Sequence, residues 1–228
     1  MSRKWRFLRL TVLLSMTGLY LMAGSPVPDP DPLRYQTEID AFIQWDRKNS
    51  TPGDAVLFVG SSSIRIWKTH DAFPGLPVIN RGFGGAHISD MLYFYEHIIQ
   101  KYDADVIVFY CGDNDVAGKK SVNRVVEDYK TIVQKILKDN PDVHLIYLPI
   151  KPSVSRWQFW EEMHQVNQII RKYQASNEHL HYLDTASPLL NSEGRPDPEL
   201  LLKDGLHLND RGYEAWNRLL SALLKELE

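Results

Sequence analysis

Residues Asp105–Tyr110 read DVIVFY, and this run of β-branched and aromatic side chains decides the fold class. An unbroken apolar run of this length is typical of a strand that is buried on both faces, as in a parallel sheet covered by helices. Four further runs of similar character occur along the chain: Ala55–Val59, Pro77–Asn80, His144–Ile150 and His181–Leu183. We therefore expect five short strands, each separated from the next by a longer stretch.

The stretches between these runs have the pattern of helices, with apolar residues repeating at a period of about 3.6. The sequence predicts helices over 35–48, 89–102, 121–138, 159–174 and 210–227. Ser89-Asp90 and Ser121 are suitable N-terminal caps, and Asn140-Pro141 is a stop signal. Strands that alternate with helices predict an α/β fold: a three-layer α/β/α sandwich around a five-stranded parallel sheet. The expected strand order is the flavodoxin-like 2-1-3-4-5.

Polar and glycine-rich segments follow three of the predicted strands. Ser61–Ser63 follow the first strand, Gly82–Gly85 the second and Gly112–Asp115 the third. In open parallel sheets, ligands bind beyond the carboxyl ends of the strands, so these segments are expected at one edge. Asp204 and His207 precede the last predicted helix and can reach the same edge.

A serine, an imidazole and a carboxylate together make an alcohol nucleophilic at neutral pH. The imidazole takes the serine proton, and the carboxylate fixes the imidazole tautomer and stabilises the imidazolium that forms. Asp204 and His207 are three residues apart, and Ser61–Ser63 could supply the alcohol. These residue types point to a hydrolase.

The motifs together resemble the SGNH hydrolases, also called the GDSL esterase family, from about Ala55 to the end of the last helix. The first block, FVGSSSIRIW, aligns Ser62 with the family's nucleophile. The Asp that usually precedes this serine is replaced by Ser61, so Ser61 and Ser63 stay as further candidates.

The resemblance assigns roles to four more residues. The backbone N–H of Gly85, the side chain of Asn114 and the Ser62 backbone N–H would form the oxyanion hole for an acyl-enzyme reaction. In the D-x-x-H block, Asp204 would orient His207 as the general base.

The segment Lys151–Trp157 follows the fourth strand and resembles a loop of some exported or membrane-associated family members. Arg156 and Trp157 are therefore candidate substrate-binding residues. The structural alternative is that this segment only forms the rim of the site.

Composition limits the partners. The chain has 228 residues and a net charge of −3, which gives no basic footprint for nucleic acid. Cys111 is the only cysteine, so neither an intramolecular disulfide nor a cysteine-based metal site is expected. The predicted chemistry needs no metal or organic cofactor. The expected partner is a small-molecule or glycan ester, and the oligomeric state stays open.

The N-terminus is typical of an export signal: four basic residues precede an apolar run over 10–23. We expect residues 1–25 to be a signal peptide or N-terminal anchor, 26–33 a Pro-rich linker and 34–228 the hydrolase domain. The protein is then exported to the periplasm or outside the cell, or held at the membrane if the segment is not cleaved.

The favoured function is a serine esterase that cleaves short acyl groups, preferably acetyl on a sugar or lipid-like alcohol. An α/β-hydrolase requires G-x-S-x-G, but Ile64 stands two residues after Ser62. A β-lactamase S-x-x-K motif fails because that position is Arg65. An acyltransferase, a lysophospholipase or a thioesterase remains open, and a binding module without catalysis is the least favoured.

Overall fold

The computed structural model describes residues 27–227, which form a parallel sheet between two layers of helices. The five strands pair in the order β2-β1-β3-β4-β5, and all four pairings are parallel. The predicted fold class and strand order are confirmed. The strands are β1 (Ala55–Gly60), β2 (Val78–Gly82), β3 (Ala104–Tyr110), β4 (His144–Tyr147) and β5 (Leu180–Tyr182).

Eight α-helices connect and cover the strands within the described residues. They are α1 (Gln36–Lys48), α2 (Ser62–Ile66), α3 (Thr69–Ala72), α4 (Ile88–Tyr93), α5 (Asp113–Ala117), α6 (Val122–Asp139), α7 (Trp160–Gln174) and α8 (Asp210–Leu227). The four long helices α1, α6, α7 and α8 lie where the sequence predicts them. The short helices α2, α3 and α5 were not predicted, because fewer than two turns leave no period to detect.

The helix predicted over 89–102 is divided into two pieces. Helix α4 begins at Ile88, one residue before the predicted start, and a π-helical turn over Glu96–Gln100 follows it. His87 rather than Ser89 occupies the N-cap position, and its backbone N–H donates to Asp90 Oδ2 at 2.8 Å. The Ser121 cap is confirmed.

Strand β4 is shorter than predicted and ends at Tyr147. Pro149 has no N–H to donate, so the ladder cannot continue through it. The backbone of Ile150 instead pairs with a side chain: its N–H donates to Asn167 Oδ1 at 2.8 Å, and its carbonyl accepts from Asn167 Nδ2 at 2.8 Å.

The two faces of the sheet carry separate apolar cores. One core joins the sheet to α1, α4, α6 and α7, and the other joins it to α2, α3 and α8. In the second core Trp67, Tyr213 and Trp216 pack as a cluster against Phe58 of β1. This packing places the start of α8, and the loop before it, beside the carboxyl end of β1.

The end of β1 is held against both neighbouring strands through Gly60. The Gly60 carbonyl accepts a hydrogen bond from Phe83 N at 3.0 Å. The N–H of the next residue, Ser61, donates to Tyr110 O at 3.0 Å. Gly60 has a φ of 152°, and a Cβ there would lie 1.9 Å from Tyr110 O. Only glycine fits this junction, from which the chain turns into α2.

The predicted boundaries at the N-terminus fall partly outside the described residues. The expected signal peptide or anchor, residues 1–25, lies outside them. Of the expected linker, Pro32 and Leu33 belong to a 3-10 helix over Pro32–Tyr35, and Asp29 pairs with Lys120 and Arg124. Between residues 27 and 227, no helix combines the length and apolar character needed to span a membrane.

We predict that Gly60→Ala destabilises the protein by roughly 3 kcal/mol or more, because the new Cβ meets backbone that cannot move aside. Urea unfolding, followed by circular dichroism, measures the change in free energy. Gly53→Ala is the matched control, since nothing lies within 4 Å of a Cβ at that position. Equal stability of the two variants would contradict this account of the β1 junction.

Candidate active site

The structure brings Ser62, His207 and Asp204 together although Ser62 lies far from the other two in sequence. His207 Nε2 lies 2.9 Å from Ser62 Oγ, and His207 Nδ1 lies 2.6 Å from Asp204 Oδ2. Ser62 is the first residue of α2 and is 9% exposed. These distances are those of a nucleophile, a base and an orienting carboxylate.

The loop before α8 fixes the carboxylate of Asp204. Its Oδ1 accepts from the backbone N–H groups of Leu206 and His207 at 2.9 and 3.0 Å. Slight burial works to raise the pKa of Asp204. The hydrogen bonds from the His207 ring and from these backbone groups outweigh that effect and lower the pKa to about 2. Asp204 is therefore ionised throughout the neutral range, as the orienting role requires.

Besides Ser62 after β1, the residues predicted to hold the oxyanion are Gly85, in the loop after β2, and Asn114, in the segment after β3. Gly85 has a φ of 78°, the left-handed region in which glycine is favoured. Asn114 is in α5, and its Nδ2 donates to the carbonyl of Ala86 at 3.0 Å, which joins the two loops. Within residues 27–227, the N–H groups of Ser62 and Gly85 have no protein acceptor. They are thus free to donate to a ligand.

Asp115 lies below these loops and ties them together. It is fully buried, and both of its oxygens accept from Ile88 N at 3.2 Å. Lys120 Nζ lies 2.9 Å from Asp115 Oδ1. Burial disfavours the Lys120 charge, but the carboxylates of Asp115, Asp29 and Asp128 outweigh burial and raise the pKa of Lys120. These contacts join Asp115 to the start of α4 and to Lys120, in keeping with a structural role.

The loop over 151–157 connects the two halves of the site. Ser155 N donates to Gly205 O at 3.0 Å, next to Asp204. Arg156 contacts the other half: its guanidinium donates to Asp113 Oδ2 and to Asn114 Oδ1, both at 2.8 Å. The predicted substrate contact of Arg156 stays a prediction, and the structure places its donors on protein acceptors.

Trp157, the second residue predicted from this loop, is half-buried beside other side chains. Its ring stacks on Trp160 with centroids 5.7 Å apart, and Arg195 Cζ lies 4.5 Å from its centroid. Its predicted role in substrate binding also stays a prediction.

Two charged residues at the site were not singled out from the sequence. Asp113 is 3% exposed and lies between the third strand and Asn114. Lys151 is 2% exposed, with its Nζ 3.4 Å from Tyr110 Oη. Burial lowers the pKa of Lys151, and Asp113 and Asp204 oppose that effect. Their positions in the loops that follow β3 and β4, at the carboxyl edge of the sheet, are a signal that could have marked both.

No metal centre is evident in the part of the chain that the structure describes: no three His, Cys, Asp or Glu side chains between residues 27 and 227 are grouped to hold an ion. Cys111 is buried there, and burial raises the pKa of its thiol well above the ordinary value. Its thiol donates to Ala86 O instead, behind the oxyanion loops.

One protein-family model matches most of the chain. The model of the GDSL-like Lipase/Acylhydrolase family matches residues 64–215. The chain belongs to this family. The match begins just after Ser62 and includes Gly85, Asn114, Asp204 and His207. This chain therefore has the fold of GDSL-type ester hydrolases.

Individual relatives cover between 75% and 93% of this family member. Human platelet-activating factor acetylhydrolase IB subunit alpha1 is 26% identical over 223 residues, which is 93% of each chain. A GDSL-like lipase from Bacteroides thetaiotaomicron superposes with a TM-score of 0.72 at 20% identity, covering 87% of this chain and 98% of its own. An acetylxylan esterase from Geobacillus stearothermophilus gives 0.57 at 16% identity, covering 75% and 94%. At these low identities, the two solved structures show that this chain shares their fold.

We predict that a fluorophosphonate reagent labels this protein once, at Ser62, because among residues 27–227 only this hydroxyl lies within hydrogen-bond distance of the His207 ring. Intact mass and peptide mapping locate the adduct. Ser62→Ala should remain unlabelled, and Ser63→Ala is the matched control that should still react. An adduct that persists in Ser62→Ala, or that maps to Ser61 or Ser63, would show that the nucleophile is misassigned.

Proposed function

We propose that this protein is a serine ester hydrolase that removes short acyl groups, preferably acetyl, through an acyl-enzyme on Ser62. The observation that carries the proposal is the hydrogen-bonded series from Ser62 Oγ through His207 to Asp204, with distances of 2.9 and 2.6 Å. A serine outside such a series is a poor nucleophile at neutral pH.

Each group at the site has a defined part in the proposed reaction. Ser62 Oγ attacks the ester carbonyl carbon while His207 Nε2 takes its proton. The negative oxygen of the tetrahedral intermediate is met by the N–H groups of Ser62 and Gly85 and by Asn114 Nδ2. His207 then protonates the leaving alcohol. Water deprotonated by His207 attacks the acyl-enzyme, which releases the acid and restores Ser62.

The preference for acetyl is supported by the named activities of relatives. One relative is a platelet-activating factor acetylhydrolase, and one structural neighbour is an acetylxylan esterase. The alcohol sides differ, a lipid in the first name and a polysaccharide in the second. The proposal for this chain is therefore an acetyl ester of a sugar or of a lipid-like alcohol.

A groove whose lining includes the residues that flank the Asp204–His207 loop in sequence favours a second candidate, a lysophospholipase or thioesterase with a longer acyl chain. The groove has a volume of about 280 Å³ and lies between α2–α3 and α8. Leu202 and Leu208, on either side of the catalytic loop, line it together with Ile66 and Trp67. Neither Ser62 nor His207 lines the groove, so this candidate requires a long acyl chain to extend past Leu202 or Leu208 to reach it.

Hydrolysis and acyl transfer share every step up to the acyl-enzyme, so the acceptor decides between them. Product analysis with a glycan or glycerol acceptor measures the fraction of acetyl that is transferred and not hydrolysed. Export is a further proposal, supported by the basic and apolar pattern of residues 1–25.

We predict turnover of p-nitrophenyl acetate that decreases from acetate to butyrate to octanoate, measured as kcat/KM. His207→Ala should reduce kcat by roughly 10⁴-fold or more, since the serine then has no base. The matched control is His70→Ala, an exposed histidine outside the site, which should retain wild-type turnover.

The outcomes separate the candidates. A kcat/KM that increases toward octanoate would favour the longer-chain candidate and overturn the acetyl preference. Full activity of a folded His207→Ala protein would contradict the mechanism itself.

A further inference from the structure

Asn114 can stabilise an oxyanion only when its amide is turned so that nitrogen, not oxygen, faces the substrate. The two ends of a side-chain amide have nearly the same shape, so the surroundings must select the orientation. Apart from its contact with Arg156, the Asn114 side chain makes a single hydrogen bond to protein within residues 27–227, from Nδ2 to Ala86 O at 3.0 Å. With this one hydrogen bond alone, the plane of the Asn114 amide could still rotate about the Nδ2–Ala86 O contact.

Arg156 supplies the second constraint. A guanidinium carries only donors, so the group of Asn114 that faces it must be the carbonyl oxygen. Its Nη2 donates to Asn114 Oδ1 at 2.8 Å. With Oδ1 facing Arg156 and one Nδ2 proton on Ala86 O, the other Nδ2 proton remains for an oxyanion.

The guanidinium is itself held in place. Its Nη1 donates to Asp113 Oδ2 at 2.8 Å, and the Asp113 carboxylate is 4% exposed. The two nitrogens of one rigid fork therefore contact two successive residues of α5, while the Arg156 side chain is 19% exposed. A planar fork that is satisfied at both ends has little rotational freedom.

We propose that Arg156 is a positioning residue that sets and holds the orientation of the Asn114 amide, and thereby the oxyanion hole, rather than binding substrate. This inference rests on the proposed function. It predicts that Arg156 affects kcat through Asn114. It also predicts that a positive charge at position 156 is not sufficient without the two coplanar donors of the guanidinium.

The decisive variant is Arg156→Lys, which keeps the positive charge beside Asp113 but loses the second, coplanar donor. We expect kcat on p-nitrophenyl acetate to decrease about 10-fold, with KM changed less than twofold, because removing a whole oxyanion donor costs about 10²–10³-fold. In an Asn114→Ala background the same replacement should cause less than a twofold further loss. Arg211→Lys is the matched control, since Arg211 pairs with Glu199 on the surface, and its kcat should equal the wild-type value.

An independent readout does not require turnover. The side-chain amide of Asn114 in ¹⁵N-labelled protein, assigned by its disappearance in Asn114→Ala, should be rigid in the wild type and mobile in Arg156→Lys. If Arg156→Lys is unstable, the double variant Arg156→Gln with Asp113→Asn removes both charges and should show the same mobility.

Three results would overturn the inference: wild-type kcat in Arg156→Lys, an increased KM at unchanged kcat, or an equal loss in the Asn114→Ala background. A rigid Asn114 amide in Arg156→Lys would overturn it without reference to activity. A change in amide mobility without any wild-type esterase turnover would instead support the positioning role and count against the proposed function.

Discussion

The site depends on the parallel alignment of β1 with β2 and β3 at their carboxyl ends. The two backbone hydrogen bonds around Gly60, one to Phe83 and one to Tyr110, bring three loops to one point. The first loop delivers Ser62, the second Gly85 and the third Asn114. Any side chain at position 60 would collide with Tyr110 O, so only glycine allows the chain to turn from β1 into α2, where Ser62 lies.

Buried charges then hold the loops that this alignment brings together. Asp115 and Lys120 join the loop after β3 to the start of α4. Lys120 also pairs with Asp29, so a residue of the predicted linker contacts the buried pair that supports these loops. On the other side, Arg156 joins α5 to the loop after β4. Removing one partner of such a buried pair costs more than the pair contributes, because an unpaired buried charge remains.

The sequence predicts much of the fold and of the site because its signals are local. The apolar run of β3, the long helices and the block around Asp204 and His207 each carry a pattern within a few residues. The division of the helix predicted over 89–102 was missed because both pieces are amphipathic and no proline or glycine separates them. The contacts of the Arg156 guanidinium with Asp113 and Asn114 were not predicted, because they join residues more than 40 positions apart. A local sequence pattern cannot indicate such a contact.

Covalent catalysis by Ser62 is the central claim, and rapid acid quenching during turnover of p-nitrophenyl acetate tests it most directly. Intact mass followed by peptide mapping would report any acetyl group that the protein carries at early times. The account predicts one acetyl group on the peptide containing Ser62, formed in the same phase as the first p-nitrophenol and absent from Ser62→Ala. Acetyl found on a different residue, or turnover by Ser62→Ala at the wild-type rate, would contradict it.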